Sequence, residues 1–230
     1  MQIHGFNKTT LLDYPEHLAA TIFTGGCNFR CPFCHNASLV INPASQPYIP
    51  EDEVLAALKK RRTILEGVCI TGGEPTLQKD LPLFIEKIKK LGLNVKLDTN
   101  GNHPAMMKYL IQEKLIDYVA MDVKNSRESY GKTIGIENPD LSKICESVDY
   151  LLEGHITYEF RTTVVKELHT AADFESIGLW LNGADAYFLQ CFEDSGDLIT
   201  QGMTAWDKES MVRFKDIMEK YVKKAEIRGL

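Results

Sequence analysis

The chain has 230 residues, 44% of them hydrophobic and 25% charged, with a formal net charge of -6. These values exclude a disordered or collagen-like polymer and fit a globular protein that buries a core without disulfide staples. The acidic balance argues against a nucleic-acid binder relying on bulk attraction to phosphate.

In chain order, residues 1–8 lack the charged-then-apolar design of an export signal, and no apolar run is long enough to cross a bilayer. The expectation is a cytoplasmic protein with no membrane partner. The first predicted strand covers 18–24 and ends in Gly25-Gly26. A cysteine-bearing loop follows over 25–36, and a Pro-rich stretch over 43–50 leads into a predicted helix at 51–66. There Val54, Leu55, Leu58 and Leu65 share one face, and Glu51, Asp52 and Glu53 favour the positive end of the helix dipole. Strand 67–71 then precedes helix 79–91, and strand 94–98 precedes helix 104–114. Strand 118–123 precedes helix 139–152, strand 157–165 precedes helix 171–182, and strand 186–191 precedes helix 208–224. This alternation predicts an α/β fold with a parallel sheet. Six units fall short of the eight that close a barrel, so the expected architecture is an incomplete parallel (β/α)6 barrel, one domain over 1–230. Its open face gathers the strand-end loops: the cysteine loop, 72–75, 98–101, 122–124 and 190–192.

The loop reads Cys27-Asn28-Phe29-Arg30-Cys31-Pro32-Phe33-Cys34. Three thiolates leave a four-iron cluster one ligand short, which points to an iron kept open for chemistry rather than electron storage. A zinc site completed by His35 is one alternative, but adjacent Cys34 and His35 are poorly placed to chelate one tetrahedral ion. A ferredoxin cluster is the other, weakened because no fourth cysteine stands at ferredoxin spacing. Cys69, Cys145 and Cys191 fall singly in predicted core elements and read as small buried hydrophobes in a reducing compartment.

Downstream, Gly72-Gly73 at a strand end lets backbone approach a ligand closely, and Glu74 offers an acceptor for an ammonium group. Asp98 and Asp122 end neighbouring predicted strands, and two buried acids repel unless a cation or proton separates them. Lys124 shares a strand face with Asp122 and is placed to pair with it. Strand-end caps and solvated charges are the competing reading for Asp98, Thr99, Asp122 and Lys124. Asn100, Gln190 and Phe192 are weaker candidates. Arg161 reads equally as an inward paired arginine or a structural salt bridge. His35 and Asn36 read equally as groups beside the cluster or as residues with local contacts.

The cysteine spacing with aromatic Phe33, together with Gly72-Gly73-Glu74-Pro75, resembles the radical S-adenosylmethionine (radical SAM) enzymes over nearly the whole chain. Gly5-Phe6-Asn7-Lys8, Leu12-Asp13-Tyr14-Pro15 and Cys34-His35-Asn36 resemble the branch that activates glycyl-radical enzymes. Within it, the anaerobic ribonucleoside-triphosphate reductase-activating proteins look nearest, with pyruvate formate-lyase activating enzyme a close relative. The resemblance implies that Cys27, Cys31 and Cys34 hold a [4Fe-4S] cluster whose open iron binds the amino and carboxylate groups of S-adenosylmethionine. Reductive cleavage then gives methionine and a 5′-deoxyadenosyl radical, which takes a hydrogen atom from a partner's backbone glycine.

The resemblance further implies that Gly72, Gly73 and Glu74 receive the methionine amino group. In pyruvate formate-lyase activating enzyme, residues matching Asp98, Thr99 and Asp122 help hold a monovalent cation near the cofactor carboxylate. The implied partners are a glycyl-radical enzyme, anaerobic ribonucleotide reductase first, and a flavodoxin or ferredoxin as electron donor. Some activators carry two extra clusters in an insertion; only 36–50 separates the loop from the first predicted helix here, so a single cluster is expected. A small-molecule radical enzyme such as 7-carboxy-7-deazaguanine synthase is the alternative function. A non-catalytic electron carrier or zinc module fits neither the repeat nor Gly72–Pro75.

Overall fold

The computed structural model describes all residues 1–230. All six predicted strands form, as β2 (Ala19–Thr24), β3 (Gly67–Gly72), β4 (Asn94–Thr99), β5 (Tyr118–Asp122), β6 (Thr157–Val164) and β7 (Tyr187–Cys191). They pair in parallel in sequence order. Two further strands extend the sheet to eight. β1 (Ile3–Thr10) pairs antiparallel with β2, and β8 (Ala225–Arg228) pairs parallel with β7. The sheet curls without its ends pairing. Leu11, Leu12 and Asp13 after β1 and Arg228 and Gly229 at the end of β8 line one cavity, leaving a lateral opening in the barrel wall.

Helices α2 (Glu51–Arg61), α3 (Leu81–Lys89), α4 (Pro104–Gln112), α6 (Ser142–Leu152), α7 (Ala171–Trp180) and α8 (Lys208–Met218) are the predicted crossovers. In addition, α1 (Ala37–Ile41) follows the cysteine loop, and α5 (Tyr130–Ile134) lies between β5 and α6. α2 and α8 stop short of the predicted ends because the chain must turn back into a strand. The Glu66 amide bonds the Leu18 carbonyl at 2.8 Å, and the Tyr187 amide bonds the Lys224 carbonyl at 2.9 Å. α7 starts with a capping box between Thr170 and Asp173, a reciprocal pair that satisfies two orphan amides. Asp173 also accepts from Ser126 and Ser129 at 2.8 Å each, tying the segment after β5 to that helix.

The outer faces of the strands pack against the helices through one contiguous apolar core including Ile22, Ile70, Leu97, Phe160 and Leu189. The inner faces are polar. Thr21, Cys69, Lys96 and Tyr118 are successive register partners across β2 to β5. Asp122 and Arg161 are partners two layers nearer the mouth, four residues beyond Tyr118 and Thr157. No helix is long and apolar enough to cross a membrane.

Candidate active site

Cys27, Cys31, Cys34, Gly72, Gly73, Glu74, Asp98, Thr99, Asp122 and Lys124, every site residue expected from the sequence, line one cavity at the carboxyl ends of the strands. Parallel topology is the cause: each parallel strand leaves the barrel on the same side, so Cys27 and Lys124, 97 positions apart, meet there. His35, Asn36, Asn100, Arg161 and Gln190 line the same cavity. Phe192 lies beside it, buried, with its ring 5.5 Å from that of His35.

The cysteine loop is held from three directions. The Arg30 amide donates to Ile134 of α5 at 2.9 Å. Behind β7, Asp197 accepts from the Ser38 hydroxyl at 2.8 Å, and the Thr200 amide donates to Pro32 at 2.9 Å. Asn36 donates to the Gly72 carbonyl at 3.2 Å, fastening the loop's end to β3. Burial pushes the Cys27 thiol up to about 11 and the Cys31 thiol up to about 12, and raises that of Cys34. Lys124 pulls against all three.

The three thiols come from one eight-residue loop and line one cavity. A cubane suits a three-cysteine set, since each thiolate binds a different iron, whereas a tetrahedral zinc shell needs four donors around one centre. The donor set, facing one polar cavity beside Gly72-Gly73-Glu74, therefore fits a cluster with a ligand next to it.

Gly73 meets the cysteine loop backbone to backbone. Its amide bonds Thr24 at 2.8 Å, the Glu74 amide bonds Gly26 at 2.8 Å, and a Cβ would lie 2.7 Å from the Gly26 carbonyl carbon. Only glycine permits this approach. Glu74 is 1% exposed. Burial raises its carboxyl above the ordinary range, against four donors. Oε1 accepts from the Thr76 amide at 3.1 Å, the Thr76 hydroxyl at 2.5 Å and the Thr99 hydroxyl at 2.8 Å; Oε2 accepts from the Asn100 amide at 2.7 Å. One oxygen is thus saturated, and the other has room for one more donor. Asn100, a weaker candidate in the sequence, also donates to Asn28 at 2.9 Å and approaches the Cys27 sulfur at 3.8 Å.

Asp98 and Asp122 are joined by Arg161, whose Nη1 lies 3.1 Å from Asp98 and whose Nε lies 2.9 Å from Asp122. The guanidinium is the cation separating the two acids, and Arg161 both faces the cavity and makes the salt bridges. Lys124 takes the other Asp122 oxygen at 2.9 Å, and Lys96 takes the other Asp98 oxygen. Burial works to raise the Asp122 carboxyl, but Arg161 and Lys124 hold it at about 2. Arg161 and Lys96 keep Asp98 low against the same penalty. The Thr99 hydroxyl donates to Glu74 at 2.8 Å and accepts from the Gly101 amide at 3.1 Å.

Sequence reasoning missed several groups. Lys96 is 1% exposed inside the barrel. Glu159 is 0% exposed and forms a two-pronged pair with Arg228 at 2.8 Å on both oxygens, plus a 2.9 Å bond from the Tyr118 hydroxyl. Asp13 faces the lumen and accepts from Thr21. His169, fully buried, sits between the Val165 amide at 3.1 Å and the Lys124 carbonyl at 2.8 Å, which orients the segment carrying Lys124. The available signal was charge at alternate strand positions, as in Lys96 and Asp98 or Glu159 and Arg161.

A family model described as the radical SAM superfamily matches residues 21–177. A Methanocaldococcus jannaschii protein, named provisionally as a glycyl-radical enzyme activating enzyme, is 32% identical over 99% of this chain and 96% of its own. Among solved structures, Streptococcus suis SuiB bound to its precursor peptide SuiA superposes with a TM-score of 0.72 at 15% identity. That match covers 91% of this chain, which spans about half (48%) of SuiB. A domain of the pyruvate-formate lyase-activating enzyme from Bacteroides vulgatus superposes with a TM-score of 0.58 at 16% identity, covering 71% of this chain and 99% of that domain. These two show a shared fold, and the family match spans most of the barrel and both motifs: the chain is an enzyme of the radical SAM superfamily, with the [4Fe-4S] cluster and S-adenosylmethionine that membership implies.

Proposed function

We propose that this enzyme activates a glycyl-radical enzyme, with an anaerobic ribonucleoside-triphosphate reductase as the partner and a flavodoxin or ferredoxin as the electron donor. When bound, the reduced cluster and S-adenosylmethionine supply carbon–sulfur cleavage and the hydrogen-atom abstraction that follows. Cys27, Cys31 and Cys34 hold the cluster, and Asn100 beside the Cys27 sulfur limits its movement. Glu74 Oε2, which has room for one more donor, would accept from the methionine ammonium, and the Gly72-Gly73 backbone would leave space for that end of the cofactor. Arg161 and Lys124, fixed by Asp98 and Asp122, present positive charge to the cofactor carboxylate.

The observation that carries the choice of a protein target is the end-to-end similarity to the Methanocaldococcus jannaschii protein, 32% identical over 99% of the chain. The lateral cavity between Leu12 and Arg228 fits it, because it reaches Asp98, Arg161 and Gln190, which also line the cysteine cavity. The test is anaerobic mixing of reduced, reconstituted protein with S-adenosylmethionine and the reductase, read by electron paramagnetic resonance. A glycyl radical doublet is expected. Cofactor cleavage without that signal overturns the partner assignment.

A further inference from the structure

Asp98 and Asp122 are the acids whose counterparts in pyruvate formate-lyase activating enzyme help hold a monovalent metal cation. Here all four of their oxygens already face nitrogen: Lys96 Nζ and Arg161 Nη1 on Asp98, Arg161 Nε and Lys124 Nζ on Asp122. The hydroxyl of Thr99 donates to Glu74 at 2.8 Å and accepts from the Gly101 amide at 3.1 Å, so its contacts lie away from the pair. The row Lys96–Asp98–Arg161–Asp122–Lys124 carries three positive and two negative charges, one net positive. Of the neighbouring charges, Glu159 and Arg228 neutralise each other, and Asp13, hydrogen-bonded by the Thr21 hydroxyl, brings the lumen close to neutral without a further cation. A metal cation between the acids would find every carboxylate oxygen taken and would have to displace a buried ammonium or guanidinium in a site mostly closed to water.

We infer that Lys96 is a built-in counter-ion: its ammonium takes the place of a free monovalent cation and holds Asp98 so that Arg161 faces the cofactor carboxylate. Lys96 is a positioning residue acting through Asp98. A lysine 1% exposed needs such a partner, and Asp98 is its one carboxylate; its other polar neighbour is the Cys69 sulfur at 3.8 Å. Lys96 lies one layer below Asp98 on the same strand face, so its charge reaches the acid from beneath and leaves the mouth clear for the cofactor. The inference deepens the reading of the cavity as an S-adenosylmethionine site and rests on it.

The experiment measures equilibrium binding of S-adenosylmethionine to the anaerobically reconstituted holoenzyme in sodium, potassium and tetramethylammonium chloride at equal ionic strength. Thermal midpoints in the same salts give a readout independent of turnover. Wild-type affinity is expected to vary less than about twofold across the salts, because its cation is covalently attached. Lys96→Met is expected to bind about tenfold more weakly in tetramethylammonium, losing one charge-assisted contact. Its affinity and midpoint should recover in sodium or potassium, whereas Lys96→Arg should stay insensitive to the salt. A merely structural lysine would give no such rescue.

Wild-type affinity that drops about tenfold without sodium or potassium overturns the inference. So does a folded Lys96→Met that binds normally in tetramethylammonium, or one that no metal cation restores. If Lys96→Met does not fold, the wild-type and Lys96→Arg salt series decide: independence of salt in both supports the inference, and dependence in either overturns it. A wild-type holoenzyme that binds no S-adenosylmethionine in any salt sinks the site reading itself, a different result from cation dependence.

Discussion

Replacing Gly73 with Ala tests whether β3 and the cysteine loop are locked backbone to backbone. The added methyl would sit 2.7 Å from the Gly26 carbonyl carbon and 3.2 Å from its nitrogen, and nearer still to its oxygen. No side chain can rotate away to relieve this, since every atom met is main chain. The loop must retreat, which disrupts the 2.8 Å bonds from Gly73 to Thr24 and from Glu74 to Gly26. Two buried backbone hydrogen bonds contribute about 1 kcal/mol each, and forced overpacking costs about 1–3 kcal/mol, giving about 3–5 kcal/mol in total. Gly26→Ala is the control. Gly26 has φ +84 but nothing within 4 Å of its added Cβ, so it pays only left-handed strain of about 1–2 kcal/mol. Urea unfolding of both apo-variants, followed by circular dichroism, reads the difference. Gly73→Ala should have the lower midpoint and, after reconstitution, bind S-adenosylmethionine poorly. A Gly73→Ala midpoint equal to or above that of Gly26→Ala refutes the reasoning.

Ala in place of Cys27, Cys31 or Cys34 should abolish cofactor cleavage and the brown cluster absorbance, whereas Cys69→Ala, outside the loop and 0% exposed, should keep four irons per chain; cleavage retained by Cys31→Ala would overturn the ligand set. Asp122 is held at about 2, below its ordinary 3.8, so the unfolded chain binds its proton first. Its contribution, about 2 kcal/mol, is complete above roughly pH 5 and disappears as pH falls through about 2. Urea midpoints between pH 6 and pH 3 should therefore fall less steeply in Asp122→Asn than in wild type, and parallel curves would contradict this. Arg228→Met leaves the Glu159 carboxylate in the lumen with the Tyr118 hydroxyl as its one hydrogen-bond donor and only the charges of Arg161 and Lys96 nearby, at a cost of about 3 kcal/mol. Hydrogen exchange should show β8 opening in that variant; protection equal to wild type would remove Arg228 as the lock on the sheet's edge.

The chemistry-bearing loops were legible because their signals are local. Three cysteines at fixed spacing, a Gly-Gly-Glu-Pro run and six alternations of strand and helix can be read within short windows, and parallel topology then places every strand end on one face. β1 and β8 were missed because neither is apolar enough to announce itself: Asn7-Lys8-Thr9 in β1 is exposed, and β8 has only four residues. Each forms because a neighbouring strand offers an unpaired edge, which is a property of the assembled sheet.

The same division explains Lys96. Within β4, Asn-Val-Lys-Leu-Asp alternates polar and apolar residues, as a strand with one wet face does. Period-two patterning separates the two faces, yet it cannot say whether the polar one meets water or a closed lumen. The sequence alone therefore determined the three-cysteine loop, the order of the sheet's six central strands and the acids at their ends. The curl of the barrel decided the rest, because it turned that polar face inward and brought Lys96, Asp98, Arg161, Asp122 and Lys124 from three strands into one charged row. Their partners lie up to 63 positions away in the chain, beyond the reach of any local pattern.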